Sequence, residues 1–426
     1  MIQLAPYQTK AEEWLRKNPF TILGDEPGVG KTHPAIFAAQ QQGPNLIICP
    51  AYLATNWKHE LERCGETDIV VIVGSAKVKK LLLQQNYKWT IMSYALLARS
   101  EYEKILQQCA WASLIFDEAH RLRGRNSLRT KAAYRLRKRT DRIWMLTGTP
   151  LVANAGDLFP LLKLCDPQEY SSYWRFVGEH CHLTQTPWAT KIGKLKNEAV
   201  FYDLLRKHML RRKLVDMLPD IPKVVEQKIT VELTGINRTR YQRAKKEYRL
   251  DDKPLLSGGA MITALRQLTS SDGTKIKALD GLISDLPEEK IVIFAWYRST
   301  VHKIVEKLQE NYKGIYCVTG ATPWKARQNK IDLFEQGGQK FLVATLGALR
   351  EGVNLQCARI VIFVEEDWLA ATNEQATARL LRRGQERTVL KYSIHARKTV
   401  DESVHRIQQR RADMSLQAVI NEEFRE

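Results

Sequence analysis

FTILGDEPGVGKTHPAIFAA, residues 20–39, carries a β-branched apolar run through a glycine-rich turn into a helix-forming stretch. This strand–turn–helix passage is the building unit of parallel α/β sheets. The turn also has chemical consequences. Backbone N–H groups and the positive dipole end at a helix N-terminus stabilise an oxyanion placed before them. Gly28 and Gly30 let the backbone approach phosphate closely, Lys31 can reach the β and γ phosphates, and Thr32 can set its hydroxyl on magnesium. The strict phosphate-loop pattern has glycine five positions before Gly30, where this chain has Asp25. Pro34 falls in the first helical turns, where its missing N–H costs little.

Downstream, the apolar run SLIFD (113–117) ends in Asp117-Glu118-Ala119-His120. A carboxylate at the C-terminal tip of a parallel strand faces the ligand crevice. Asp117 is placed to hold magnesium, and Glu118 to orient and deprotonate an attacking water. A string of four such common residues also occurs by chance, with Asp117 and Glu118 then ordinary surface carboxylates. Their position after an apolar strand, a domain-sized interval beyond a GKT loop, distinguishes them.

Similar units recur along the chain. Strands are expected at 20–24, 45–49, 69–73, 113–117 and 143–147, then at 290–295, 315–319, 341–345, 360–364 and 389–394. The fold class is therefore α/β, in two similar lobes at residues 1–166 and 288–426. Residues 167–287 change character: rich in Arg, Lys, Tyr and Trp, with basic helix-period stretches, they predict a helical insertion and linker. The last helix is expected to open on a capping box from Thr399 to Glu402.

Composition narrows the partners. Sixty-six Lys and Arg against 47 Asp and Glu give a formal charge of +19, which points to a polyanion and above all nucleic acid. Basic clusters at 121–142, 206–213 and 238–249 would grip phosphates without reading bases, although each run can also be a solvated helix face. Seven cysteines include no CxxC pair, and His180-Cys181-His182 has no second pair at ligand spacing; a disulfide framework and a zinc ribbon are not expected. The N-terminus has no apolar core of a signal peptide, and no run reaches membrane-spanning length. A soluble cytoplasmic protein is expected.

The order of the remaining segments resembles the Swi/Snf-type DNA translocases of helicase superfamily two, over nearly the whole chain. LAPYQ, with Gln8, resembles their adenine-reading element. LIICPAYLATNWKHEL resembles the segment that lays Pro50 and Trp57 along the DNA backbone. LIFDEAHRLRGRNS extends the DEAH box with Arg121 and Arg123. MLTGTP, with Thr147 and Thr149, resembles the element that couples hydrolysis to lobe movement, together with His120. HMLRRKLVDMLPDIPK resembles the linker signature, whose Arg211 and Arg212 the resemblance places on nucleic acid. EGVNLQCA, with Asn354, resembles the fifth motif, and EEDWLAATNEQATARLLRRGQ, with Gln375, Arg379 and Arg382, the sixth.

The resemblance implies two tandem RecA-like lobes, ATP and Mg2+ as cofactors, and duplex or branched DNA bound without sequence preference. Spacing of three puts Arg379 and Arg382 on one helix face, as an arginine finger in cis. The segment around 174–218 is most similar to the fork-remodelling, strand-annealing branch. A monomeric motor in a bacterial or phage-infected cell, associated with the nucleoid, is the expectation. Departures fall in the second lobe: Ala348-Leu349-Arg350-Glu351 replaces a Gly-Gly element, Leu369-Ala370 an Asn-Pro, and Leu381 a His. None removes a phosphate or magnesium contact. Two other readings stay open, a strand-separating helicase on DNA or RNA and a non-catalytic binding scaffold.

Overall fold

The computed structural model describes residues 2–150, 154–186, 189–218, 220–247, 249–250, 253–254, 258–271, 273–349, 353–381 and 384–413. The chain divides into two compact units, Met1–Pro219 and Asp220–Met414. Each is built on its own parallel sheet.

The first unit contributes β1 (Phe20–Leu23), β2 (Asn45–Cys49), β3 (Ile69–Val71), β4 (Trp89–Ser93), β5 (Ser113–Asp117), β6 (Ile143–Leu146), β7 (Cys181–Thr186), β8 (Ala189–Leu195) and β9 (Met209–Leu210). Seven of these form a sheet in the order β3-β4-β2-β5-β6-β1-β9 with every neighbouring pair parallel. Strands β7 and β8 pair antiparallel as a separate hairpin. Successive side chains of one strand enter opposite cores. Ile22, Ile48, Phe116 and Met145 line one face, and Leu23, Ile47, Ile115 and Trp144 the other. Cover on both faces explains why these strands read as unbroken apolar runs.

The second unit contributes β10 (Val224–Val231), β11 (Arg249–Leu250), β12 (Lys253–Pro254), β13 (Ile291–Ala295), β14 (Tyr316–Val318), β15 (Phe341–Thr345), β16 (Ile360–Phe363) and β17 (Val389–Ala396). Its six-stranded sheet runs β10-β17-β16-β13-β15-β14, again parallel throughout. Phe294 and Phe363 belong to one core, Ile293 and Ile362 to the other.

The segment expected to be a helical insertion differs from that expectation. It holds the helices Tyr173–His180, Glu198–His208, Gly235–Glu247, Gly258–Ser271 and Thr274–Asp285, but also the β7–β8 hairpin and strands β9 and β10. It is divided between the two units. Strand β10 is an edge strand whose Glu226 and Lys228 are exposed, so it carries no apolar run to reveal it. Strand β4 was also unforeseen. At the last helix, Val400–Asp413, the bonds at Thr399 run to Asp401 rather than to Glu402. Asp401 N–H donates to Thr399 Oγ1 at 3.2 Å, and its carboxylate accepts from Ala396 N–H at 3.0 Å and pairs with Lys275 at 2.6 Å. Among the described residues no helix is long and apolar enough to cross a membrane.

Phe363 is fully buried and stacks on Phe294 with ring centroids 5.4 Å apart. Phe363→Ala is expected to cost about 3–5 kcal/mol through lost burial and a residual cavity, read as a lower denaturation midpoint for the second unit.

Candidate functional site

Strands β5, β6 and β1 are neighbours, so their C-terminal tips stand side by side. Asp117 is in register with Leu146, which is in register with Leu23, and Thr147 N–H donates to Leu23 O at 3.1 Å. From the β1 tip the loop turns through Gly28 (φ 95°) and Gly30 (φ 86°), both in the left-handed region. A β-carbon on Gly30 would fall 2.8 Å from Gln8 Nε2. That amide donates to Gly30 O at 3.2 Å, while Gln8 Oε1 accepts from Ala5 N–H at 3.1 Å. Gln8 therefore rests on the loop itself. Lys31 Nζ donates to the carbonyls of Asp25 and Glu26 at 2.8 and 3.2 Å. Burial pulls its pKa down, against the carboxylates of Asp25, Glu118 and Asp117. Thr32 opens the helix Thr32–Ala39.

Asp117 is held at both oxygens: Oδ2 accepts from the Trp57 indole at 2.8 Å and Oδ1 from Glu118 N–H at 2.9 Å. Its carbonyl accepts from Tyr94 Oη–H at 2.8 Å. Burial first, then the neighbouring Glu118 carboxylate, push the Asp117 pKa up to about 6. Glu118 itself sits at φ 51°, ψ 49°, in left-handed backbone unusual for a side chain other than glycine. Its Oε2 lies 3.2 Å from His120 Nδ1, and the same nitrogen meets Thr147 Oγ1 at 3.3 Å and Thr149 Oγ1 at 3.4 Å. His120 thus links the β5 tip to the β6 tip. The donor set suits a nucleotide with its metal: loop amides and Lys31 for phosphate, and the hard oxygens of Thr32 and Asp117 for Mg2+.

The two linker arginines occupy different places from those expected. Arg212 is 2% exposed and its guanidinium clamps Asp25, 1% exposed, through Nη2–Oδ2 at 2.5 Å and Nε–Oδ1 at 3.1 Å. Its backbone N–H adds a third bond to Asp25 at 3.0 Å, and Nη1 donates to Tyr7 O at 2.5 Å. Arg211 Nη1 donates to the carbonyls of Gly24 at 2.6 Å and Gly148 at 3.4 Å. Arg212 is therefore not a DNA contact. A buried carboxylate at position 25 requires a cation, and Arg212 supplies it. The sequence signal was Asp25 itself, a charge where the loop pattern has glycine. Gly148 is constrained too, since a β-carbon there would strike Pro27 of the loop at 2.8 Å.

Trp57 likewise differs from expectation. It is 1% exposed beneath Asp117 and offers no face to a backbone phosphate. Pro50, Tyr52, Tyr94, Arg121 and Arg129 line an open cavity of about 520 Å³ beside it, and Arg121 Nη2 donates to Tyr52 Oη at 3.4 Å. Arg123 is exposed. Part of the remaining basic cluster is engaged with neighbours: Arg135 pairs with Glu103, Arg137 lies 3.9 Å from the Phe20 ring centre, and Arg125 4.2 Å from that of Tyr173, while Lys131, Lys138 and Arg139 are exposed.

In the second unit, Leu355 N–H donates to Arg379 O at 3.0 Å, which ties the segment bearing Asn354 to the one bearing Arg379. The helix Ala370–Thr377 ends before Arg379, so Arg379 stands in a turn and not on the expected helix face. Arg382 lies outside the described residues. Gln375 is 2% exposed; among the described residues its Oε1, like Asn354 Oδ1, is buried with no hydrogen-bond partner.

Two outcomes follow. Arg212→Ala would leave Asp25 charged and buried, costing about 3–5 kcal/mol, whereas Arg212→Ala with Asp25→Gly should recover much of that loss in denaturant unfolding. A carboxyl group can hold a divalent cation only when ionised, and the Asp117 pKa is raised to about 6, so if the cation sits there Mg2+–nucleotide affinity should fall as pH drops through 6. Calorimetric titration between pH 5 and 8, roughly the span on either side of that value, checks this; Asp117→Asn should flatten the profile.

Comparison with known proteins gives the family. A profile described as the SNF2-related domain matches residues 7–281, and one described as the helicase conserved C-terminal domain matches residues 274–384. An uncharacterised ATP-dependent helicase of Mycoplasma genitalium is 28% identical over 98% of this chain and 42% of its own length. Chromodomain-helicase-DNA-binding protein 1-like of Danio rerio is 27% identical over 95% of this chain and 43% of its own. The chain thus spans about two-fifths of the length of these relatives. The solved SWI2/SNF2 ATPase core of Sulfolobus solfataricus, in complex with dsDNA, is similar at 22% identity and a TM-score of 0.47, over 97% of this chain and 92% of that one. With the first profile covering well over half of its residues, and the nucleotide-loop and DEAH residues gathered at adjacent strand tips, the chain belongs to the SNF2-related helicase family.

Proposed function

We propose that the chain is a DNA-stimulated ATPase that translocates on duplex DNA as a monomer and remodels branched DNA, as in branch migration, fork reversal or annealing. The observation that carries the ATPase reading is the convergence of Lys31, Thr32, Asp117 and Glu118 at adjacent strand tips, with His120 linking Glu118 to Thr147 and Thr149. The formal charge of +19 and the cavity flanked by Arg121 and Arg129 support a polyanion partner. The Mycoplasma genitalium and Danio rerio relatives are named as helicases, the second also as DNA-binding.

The chemistry follows from the side chains. Lys31 gives up two backbone carbonyls for phosphate oxygens, a favourable exchange because the ammonium is partly desolvated already. Thr32 and Asp117 hold the metal, which when bound supplies charge neutralisation on the phosphate oxygens. Glu118 takes the proton of the attacking water, its position set by its backbone and by His120. Movement of the β6 tip would shift His120 and with it the base, which provides a route between hydrolysis and conformation. Arg379 and Arg382 enter this reading only as the charged residues of the segment that resembles the sixth motif.

Glu118→Gln is expected to lower ATP turnover by about 10²–10⁴-fold while leaving ATP binding intact; full turnover would show that another group is the base. Stimulation compared across single-stranded, duplex, forked and four-way-junction DNA tests the substrate. Triplex displacement without forked-duplex unwinding supports translocation, and unwinding without displacement replaces it with strand separation.

A further inference from the structure

Away from the nucleotide site, the second unit gathers one carboxylate and two imidazoles. One donor atom each of Glu366, His395 and His405 lies within 4.8 Å of the other two. They come from three places: Glu366 follows β16, His395 is on β17, and His405 is on the helix Val400–Asp413. The Glu366 and His395 side chains are only 9% and 5% exposed. Three distant positions converging at a buried point is uncommon for groups whose ionised forms repay burial only when partnered.

The hydrogen bonding at this point is incomplete in a specific way. Glu366 Oε1 accepts from Ser393 Oγ–H at 3.0 Å. Glu366 Oε2 is buried and accepts no hydrogen bond among the described residues, although His395 Nε2 is 3.2 Å away. The two atoms are close but not aligned as donor and acceptor. That separation matches two ligands about 2.0–2.1 Å from one tetrahedral cation, which places them about 3.3 Å apart. The His405 ring meets the His395 ring edge-on, with centroids 5.3 Å apart and planes at 87°.

We infer that Glu366, His395 and His405 bind a divalent cation of the zinc class, which staples the C-terminal helix to the sheet of the second unit. Two imidazoles and one carboxylate favour zinc-like borderline cations over Mg2+ or Ca2+, which prefer all-oxygen shells. Ser393, donating to the free carboxylate oxygen, orients the ligand from behind. Lys391 is paired with Glu226 at 2.7 Å, which reduces its repulsion of a cation.

The test uses the full chain, stripped with chelator and titrated with Zn2+ alone. The expected result is one tightly held equivalent and a melting temperature raised by roughly 5–10 °C at a hundredfold excess over Kd. His405→Gln leaves the Glu366–His395 contact intact and should fold. It is expected to weaken Zn2+ binding by more than the roughly 10–100-fold that loss of an outer-shell partner costs, and Glu366→Gln likewise. X-ray absorption should show a nitrogen and oxygen shell. Sulfur ligands, which would report the free cysteines, overturn the inference. So does affinity unchanged in either variant, or no bound equivalent in the unaltered chain.

Discussion

The buried pair of Asp25 and Arg212 fixes the loop on which the first unit's chemistry depends. Taking both charges out of water costs several kcal/mol each, and only close, well-aligned partners offset that. Here the carboxylate receives two guanidinium bonds and a backbone N–H, and the guanidinium also reaches Tyr7 O. Three segments meet at this ion pair: the helix Pro6–Lys17 through Tyr7, the phosphate loop and the chain just after β9. Arg211 extends the arrangement to Gly24 and Gly148. The residues that receive phosphate are therefore held by the stretch that leads into the second unit, 187 positions along the chain. A glycine at position 25 would impose no such tie.

This explains what could be read from the residues in order and what could not. The tips of β1, β5 and β6 were legible because each buried apolar strand ends abruptly in a polar residue of distinctive chemistry: Gly24 and the GKT turn, Asp117, Thr147. Residues at those ends face a common crevice whatever the details of the fold. Arg212 was misplaced because two arginines in a basic segment look the same whether they meet phosphate or a buried carboxylate; the partner that decides is far away in sequence. Trp57 was misplaced for a similar reason, since its indole N–H is used by Asp117. Strand β10 escaped notice because an edge strand buries little, and here Glu226, Gln227 and Lys228 interrupt its apolar residues.

Strain and charge meet at the β5 tip. Holding Glu118 in left-handed backbone costs about 1–3 kcal/mol, and two adjacent carboxylates in a buried site raise the Asp117 pKa to about 6. Only the second of these is open to relief by a bound ligand. A divalent cation at Asp117 removes the repulsion, and a water accepted by Glu118 uses the direction that the backbone gives the side chain. The site is thus less comfortable without its reactants than with them, a condition that favours binding them as a set. His120 makes this condition communicable, since one imidazole nitrogen faces Glu118, Thr147 and Thr149 together and cannot serve all three equally.

The formal charge of +19 needs the same positional reading. Arginine enriches a sequence for two opposed reasons: its fork matches phosphate, and it matches buried carboxylates and carbonyls equally well. In this chain Arg135, Arg137, Arg211, Arg212 and Arg359 are spent inward, on Glu103, Leu164 O, Gly24 O, Asp25 and Glu289. They contribute to the count while serving neighbours within the protein, Arg135 with half of its side chain still exposed. Exposed cations remain on the first unit, among them Arg123, Lys131, Lys138 and Arg139, and Arg121 and Arg129 line the cavity beside Pro50. That cavity adjoins the Asp117 tip through Tyr94, which lines it and donates to the Asp117 carbonyl. A phosphate gripped there would lie one side chain from the residue that holds the metal. The short path, more than the total charge, sets this cavity apart from the other basic stretches of the first unit.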